Sequence, residues 1–337
     1  MFRRTRVQPT YLCALLLVAV TGMAQTLPET LPPTGDFGPD PQPGAVLQKV
    51  PADVILVKGA VPSASDHSVP LPEEGGVVKG VYKNRYFGMS WTLPDDWSEP
   101  FGGPPPSESG GYVLSNVVPA PKFKGPSKGT VLISAQDMFF APMPADDAKE
   151  LIAYRREHLE PYYDVERAPA EMTIAGRPFS RFDYESKVAG IHWAVLATTV
   201  RCHAVQFVFS SRDPKLIESL VKDLDAMKFD DAGWPRCVAD YVTRANVIER
   251  VDPVLKDRRF NAIPARLVVD KKGRVKHVHI LSAFPEQAQL ITDALLQWRF
   301  KPYLVNGEPV EIETGVTFNA PPRNRKTTAP PVSTASD

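Results

Sequence analysis

His277 and His279 are the first residues in this chain whose types and spacing suggest chemistry. They stand in "RVKHVHIL", a strand-like run, and residues two apart on a strand point to one face. Two imidazoles on one face could bind a metal ion if a third ligand joined them. Arg274 and Lys276 flank the pair, so the run reads instead as a solvated strand face, and no metal is expected. His192 beside Trp193 and His203 beside Cys202 could meet across a hairpin. A cysteine nucleophile needs a base and an orienting partner, and nothing nearby suggests a third member. The acid pairs Asp95-Asp96, Asp146-Asp147 and Asp230-Asp231 have the composition of turns and caps. There is no Gly-rich phosphate loop, no Gly-x-Ser-x-Gly and no His-Glu-x-x-His. The chemistry therefore points to a non-enzymatic chain with no cofactor.

Composition narrows the class. The 337 residues suffice for about two domains. Lys plus Arg and Asp plus Glu balance at 39 each, which argues against a nucleic-acid partner, since that would call for a basic excess. Many of the 35 prolines fall in Leu27–Pro43 and Pro321–Pro331, both extended, solvated segments in character. Arg3, Arg4 and Arg6 precede an apolar run, Tyr11–Val20, and then Gly22-Met23-Ala24. That order predicts an export signal over residues 1–24, cleaved to leave Gln25 first and a slightly acidic mature chain. The apolar run is about half the ~20 residues of a spanning helix. A periplasmic protein is expected, with a retained inner-membrane anchor as the alternative.

Cys13 lies within the apolar run, which leaves Cys202 and Cys237. Exported chains live where disulfides persist. A bridge between these two would close a loop of about 35 residues and contribute ~3–4 kcal/mol in the chain-entropy model. The alternative makes Cys202 a small buried hydrophobe and Cys237 a linker thiol.

The elements that would position these residues fall into two α+β domains. Residues 25–79 form a Pro/Gly-rich linker with one strand-like arm, Val50–Lys58. Residues 80–229 carry strands near Tyr82–Trp97, Gly111–Val118 and Gly129–Met138, with loop composition at Gly102–Gly111. A helix follows at Pro144–Tyr162, with Asp146 and Asp147 suited to its first turn. Strands follow at Val165–Ile174, Pro178–Lys187, Ile191–Val200 and Ala204–Ser210. The turn between the last two, Val200–His203, has no Gly or Pro. Asp213 and Pro214 then start a helix. Leu216, Ile217, Leu220, Val221, Leu224 and Met227 are its apolar stripe. Residues 230–261 read as a linker with a helix over Val238–Glu249. Residues 262–319 read as β-β-α-β: Ile263–Asp270, Arg274–Leu281, a helix over Pro285–Trp298 and Val310–Phe318. Residues 320–337 read as a disordered tail.

The last domain carries a resemblance. Asp270 and Gly273 mark a turn; Ala294, Trp298, Phe300 and Pro302 end a helix as Ala-x-x-x-W-x-F-x-P; Asn306-Gly307 makes a second turn before the closing strand. Together they resemble the C-terminal domain of the TonB energy-transducer family. The resemblance implies a sheet edge, here Val310, Ile312, Thr314, Val316 and Phe318, that accepts an extended segment of an envelope or outer-membrane transport protein by strand addition. It also implies an ExbB/ExbD-type motor as a further partner if the N-terminus is retained. The short apolar run and the second domain depart from that family, and favour an interaction module over a force transducer. The "YKNRYFGMSWTLPDDW" start and "HAVQFVFSSRDPKLIESLVKDLDAMKF" end of the first domain resemble the PsbP-like α/β/α sandwich, built on an antiparallel sheet. That fold leaves function open: a small-ligand binder or hydrolase is the second alternative.

Overall fold

The computed structural model describes residues 63–65, 69–100, 103–121, 124, 128–230, 232–255 and 262–318. The expected export segment 1–24, the arm Val50–Lys58 and the tail 320–337 lie outside the described residues.

In chain order the strands begin with β1 (Ala64–Ser65), β2 (Gly76–Val78), β3 (Val81–Asn84), β4 (Met89–Thr92), β5 (Trp97–Ser98), β6 (Gly111–Pro119) and β7 (Gly129–Asp137). Helix α1 (Ala148–Glu157) precedes β8 (Asp164–Ile174), β9 (Arg177–Ser186), β10 (Ile191–Val200) and β11 (His203–Ser211). Helix α2 (Pro214–Asp223) leads to β12 (Lys228–Phe229), β13 (Arg236–Cys237), β14 (Val247–Glu249), β15 (Ile263–Val269) and β16 (Val275–Ile280). Helix α3 (Pro285–Leu295) is followed by β17 (Arg299–Phe300), β18 (Tyr303–Val305), β19 (Glu308–Val310) and β20 (Ile312–Phe318).

The first lobe is built on a seven-stranded sheet in the order β5-β6-β7-β11-β10-β9-β8. Its central strands are apolar on both faces, as a sheet covered on both sides requires. On one face α1 buries Leu151 and Ile152 with Phe182, Tyr184 and Val195. On the other, α2 and a four-stranded sheet of β12, β4, β3 and β2 bury Trp91, Tyr82, Phe87, Phe207 and Phe209. Both helices start on aspartates. Asp147 Oδ1 accepts from the Glu150 amide at 2.8 Å, and Asp213 Oδ1 from Lys215 at 2.9 Å. Helix α1 is shorter than Pro144–Tyr162, because its cap falls at Asp147 and it stops at Glu157.

The second lobe carries β15, β16, α3 and β20, in a sheet ordered β1-β16-β15-β20-β13. Ala288, Ile291 and Leu295 of α3 pack on it, and Trp298 and Phe300 close the core. Trp298 Nε1 donates to the Val251 carbonyl at 2.7 Å, so the ring is buried with its polar atom satisfied. Gly273 has φ +77, and a Cβ there would come within 1.9 Å of the Phe300 carbonyl oxygen. The hairpin turn after Asp270 can therefore lie against β17 only as glycine. The two lobes fall within one compact unit, Ile55–Asp337.

The helix expected over Val238–Glu249 does not form. Turns occupy the segment until β14, and Thr243 O accepts from the amides of both Asn246 and Val247. Asp240, Thr243 and Asn246 compete for backbone groups and weaken a helix. Tyr241 is instead buried against Phe300, with its hydroxyl 2.5 Å from the Lys301 carbonyl oxygen.

Candidate functional site

The structure sets part of the chain's own linker against the predicted binding edge. β20 pairs with β15 along its whole length, from Ile312↔Val269 to Phe318↔Ile263. Its other side is not open. β13 lies parallel on it, with Arg236↔Ile312 and Cys237↔Glu313. The amides of Arg236 and Val238 donate to the carbonyls of Glu311 and Glu313 at 2.9 Å each. By strand alternation the next outward backbone groups belong to Gly315 and Thr317. A Cβ on Gly315 would meet Phe139 and Phe140 of the first lobe at 2.9 Å, so the sheet face, though not the edge, is covered at that position. The predicted side chains also face inward: Ile312 and Thr314 are buried, Val316 and Phe318 pack on the core under α3, and Val310 belongs to the β18–β19 hairpin turned by Asn306-Gly307. Of the edge expected at Val310–Phe318, the Ile312–Glu313 part is occupied by the linker after the first lobe, which composition alone marks as a connector.

A covalent clasp holds the linker there. Cys237 of β13 is joined to Cys202 by a disulfide. Cys202 and Arg201 form the tight turn between β10 and β11, with φ 62 and 47. Neither is glycine, and each positive φ costs about 1–2 kcal/mol. The tip is over-determined by what it touches. The Arg201 guanidinium stacks 3.9 Å from the centroid of the Tyr86 ring and lies 3.1 Å from Glu313 Oε1.

Beneath the clasp lies a charged seam between the lobes. Arg266 Nη1 is 2.5 Å from Asp137 Oδ2, and its Nη2 is 3.1 Å from Glu313 Oε2. The Tyr86 hydroxyl donates to Glu313 at 3.2 Å. All of these side chains are buried. Burial works to lower the Arg266 pKa, but Asp137, Tyr86 and Glu313 outweigh it and hold the guanidinium charged. Burial pushes the Asp137 carboxyl up, against the pull of Arg266. His203 Nδ1 donates to the Arg201 carbonyl at 2.7 Å, while Nε2 sits 3.7 Å from Asp137. Burial, then the nearby Arg266 charge, lowers the His203 pKa well below its usual value, so the ring is neutral. The seam is closed to solvent and joins the lobes through buried ion pairs.

The opposite edge of the same sheet is covered by a strand of the same length that no disulfide holds. β1 pairs there with Ala64↔Ile280 and Ser65↔His279, two rungs of the six-residue β16. The Leu281 amide bonds to the Pro264 carbonyl on the β15 side, so by alternation the amide of Val278 points outward, up to the register shift that leaves Lys276 without a partner on β15. His279 does not face water as expected. It is buried, 3.3 Å from Glu73, because this face of the sheet packs on the first lobe. Burial works to raise the Glu73 pKa, but hydrogen bonds from His279 and Ser63 pull it below the usual range.

His192 and His203 do not approach each other. His192 pairs with Ser211 and His203 with Val200, at opposite ends of the β10–β11 ladder. Their separation removes the geometry for a Cys-His pair, and the disulfide removes the thiol. Two of the acid pairs take turn and cap places: Asp96 has φ 60, and Asp147 caps α1, while Asp231 of the third lies outside the described residues. His192 joins a group that sequence reasoning missed. Its Nδ1 lies 3.0 Å from both carboxylate oxygens of Glu166, with Glu185 Oε2 at 3.9 Å. The group borders a shallow cleft of about 150 Å³ that includes Arg167, Arg181 and Glu218.

None of the described helices is long and apolar enough to cross a membrane. No protein-family model matches the chain, and no curated protein matches it. The likeness to the TonB family therefore rests on the motif residues alone. Among solved structures, the solution structure of cyanobacterial PsbP (CyanoP) from Synechocystis sp. PCC 6803 is a weak neighbour, with a TM-score of 0.30 and 15% identity over 46% of this chain and 96% of that one. What the fold establishes is a mixed α+β protein, mostly sheet with three α-helices among the described residues.

Proposed function

We propose that this chain is a non-enzymatic, exported protein-interaction module that takes an extended segment of an envelope or outer-membrane partner as an added strand on its C-terminal sheet. The accepting edge is β16, not β20. One observation carries this reading: the sheet already takes short extended segments of its own chain at both edges, and at β16 the described pairing covers only His279 and Ile280. The outward amide of Val278 supplies a main-chain donor of the kind strand addition uses. Lys276, paired with Glu311 at 3.1 Å on the exposed surface, also guards the edge against self-association.

The reading is tested by placing a photo-reactive phenylalanine derivative at Lys276 and, as a control, at Arg236, in cells that make the protein. A discrete adduct with an envelope protein at Lys276 and none at Arg236 is expected. Equal cross-linking at both positions, or none at Lys276, contradicts it.

A further inference from the structure

We propose that Glu166, Glu185 and His192 form a binding site for a divalent transition-metal cation, with Zn2+ as the best-matched ion. The three residues come from three adjacent strands. His192 on β10 is directly opposite Glu185 on β9, so both side chains leave the same face of the sheet. Glu166 reaches them through an irregularity in β8. The register shifts between Val165 and Arg167, which leaves Glu166 outside the ladder and re-aims its side chain.

The ligand atoms of the three side chains all lie within 4.8 Å of one another. Two ligands bound tetrahedrally to one zinc, each ~2.0–2.2 Å from it, stand ~3.4 Å apart. Small rotamer adjustments therefore suffice to bring all three onto one ion. The charge balance favours a cation. Asp164, Glu166 and Glu185 gather here against Lys187, which is 3.1 Å from Asp164 and 3.8 Å from Glu185. The nearest guanidinium, that of Arg167, is turned away to Asp183 at 2.8 Å and Glu218 at 3.0 Å. One imidazole cannot neutralise two carboxylates, whereas a dication can.

The donor set selects the ion class. An imidazole with two carboxylates suits zinc and its first-row neighbours, while Mg2+ and Ca2+ prefer oxygen ligands alone. Three protein ligands leave a fourth position for water or a small anion. The neighbouring cleft, with Arg167 and Arg181 in its lining, gives that ligand room.

The test is calorimetric titration of the untagged, disulfide-intact protein with zinc chloride, repeated with Co2+ to read coordination from its visible spectrum. Saturable uptake of one ion per chain is expected. His192→Ala and Glu185→Gln should each weaken it at least about tenfold, since even partners outside the ligand shell cost that much. Glu218→Gln, in the same cleft but outside the ligand set, should bind as the parent does. Zn2+ should raise the melting temperature of the parent and not that of His192→Ala. Uptake that is unsaturable at millimolar zinc, or equal binding by the parent and both ligand variants, overturns the proposal. Should His192→Ala fail to fold, weakened or unchanged uptake by Glu166→Gln decides between the same two outcomes.

Discussion

The two edges of the C-terminal sheet are closed by the same device at very different strengths. On the β20 side a linker strand is tied down by a disulfide, by two backbone hydrogen bonds and by the charged seam under it. On the β16 side a two-residue strand makes two rungs, and buried His279 lies 3.3 Å from half-buried Glu73. An edge strand is an invitation to pair with another chain. Here one short strand is held covalently and, among the described residues, the other is not. That difference is why the proposal favours β16 over the edge that the motif resemblance indicated.

The comparison breaks first at Glu313, which faces two guanidiniums in a dry seam. Glu313→Gln keeps the shape and removes the charge, leaving Arg201 and Arg266 under-compensated. A loss of about 3–5 kcal/mol is expected, read as a lower urea midpoint. A loss under about 1 kcal/mol would mean that packing, not charge, joins the lobes.

Reduction of Cys202–Cys237 comes next. The bridge spans 35 residues of sequence, and its removal should cost about 3 kcal/mol. The loss should be accompanied by faster amide exchange at Val238, whose bond to Glu313 the bridge maintains.

Acid should then loosen the same seam. The folded His203 pKa lies below its unfolded value of 6.5. Its contribution is therefore complete above pH 6.5 and is lost as pH falls towards the folded value, because the unfolded chain takes a proton that the folded ring refuses. The slope is at most about 1.4 kcal/mol per pH unit. Asp137, raised above 3.8, acts in the opposite sense, and Glu73, lowered from 4.5, adds a further loss in stronger acid. Urea midpoints at pH 7.5 and 5.5 should differ less in His203→Asn than in the parent.

The smallest effect belongs to the other edge. Ala64→Pro, which disrupts the pairing with Ile280 at a half-buried position, should cost less than about 2 kcal/mol. A larger loss would make the two edges equals.

Sequence pattern made much of this fold readable, and two turns mark its limit. Asn306-Gly307, with φ 52 and 83, is chemically suited to its turn and was legible for that reason. Arg201-Cys202 adopts a similar backbone with unsuited residues, because Glu313, Tyr86 and Cys237 hold it there. Nothing local announces such a turn. The same holds for the fate of β20. Alternation tells which side chains share a face, but not which distant segment claims an edge. Cysteine count pointed to the bridge; it did not reveal that the bridge straps a linker onto a sheet. The Glu166, Glu185 and His192 group stayed hidden for a third reason: its assembly depends on the β8 bulge, which strand periodicity does not encode.

Amide hydrogen exchange on the oxidised protein compares the two edges in one experiment. The Val238 amide, bonded to the Glu313 carbonyl, should be strongly protected, while the outward Val278 amide of β16 should exchange orders of magnitude faster. Equal protection at both sites, or a fast Val238 beside a slow Val278, would contradict the proposal of β16 as the accepting edge.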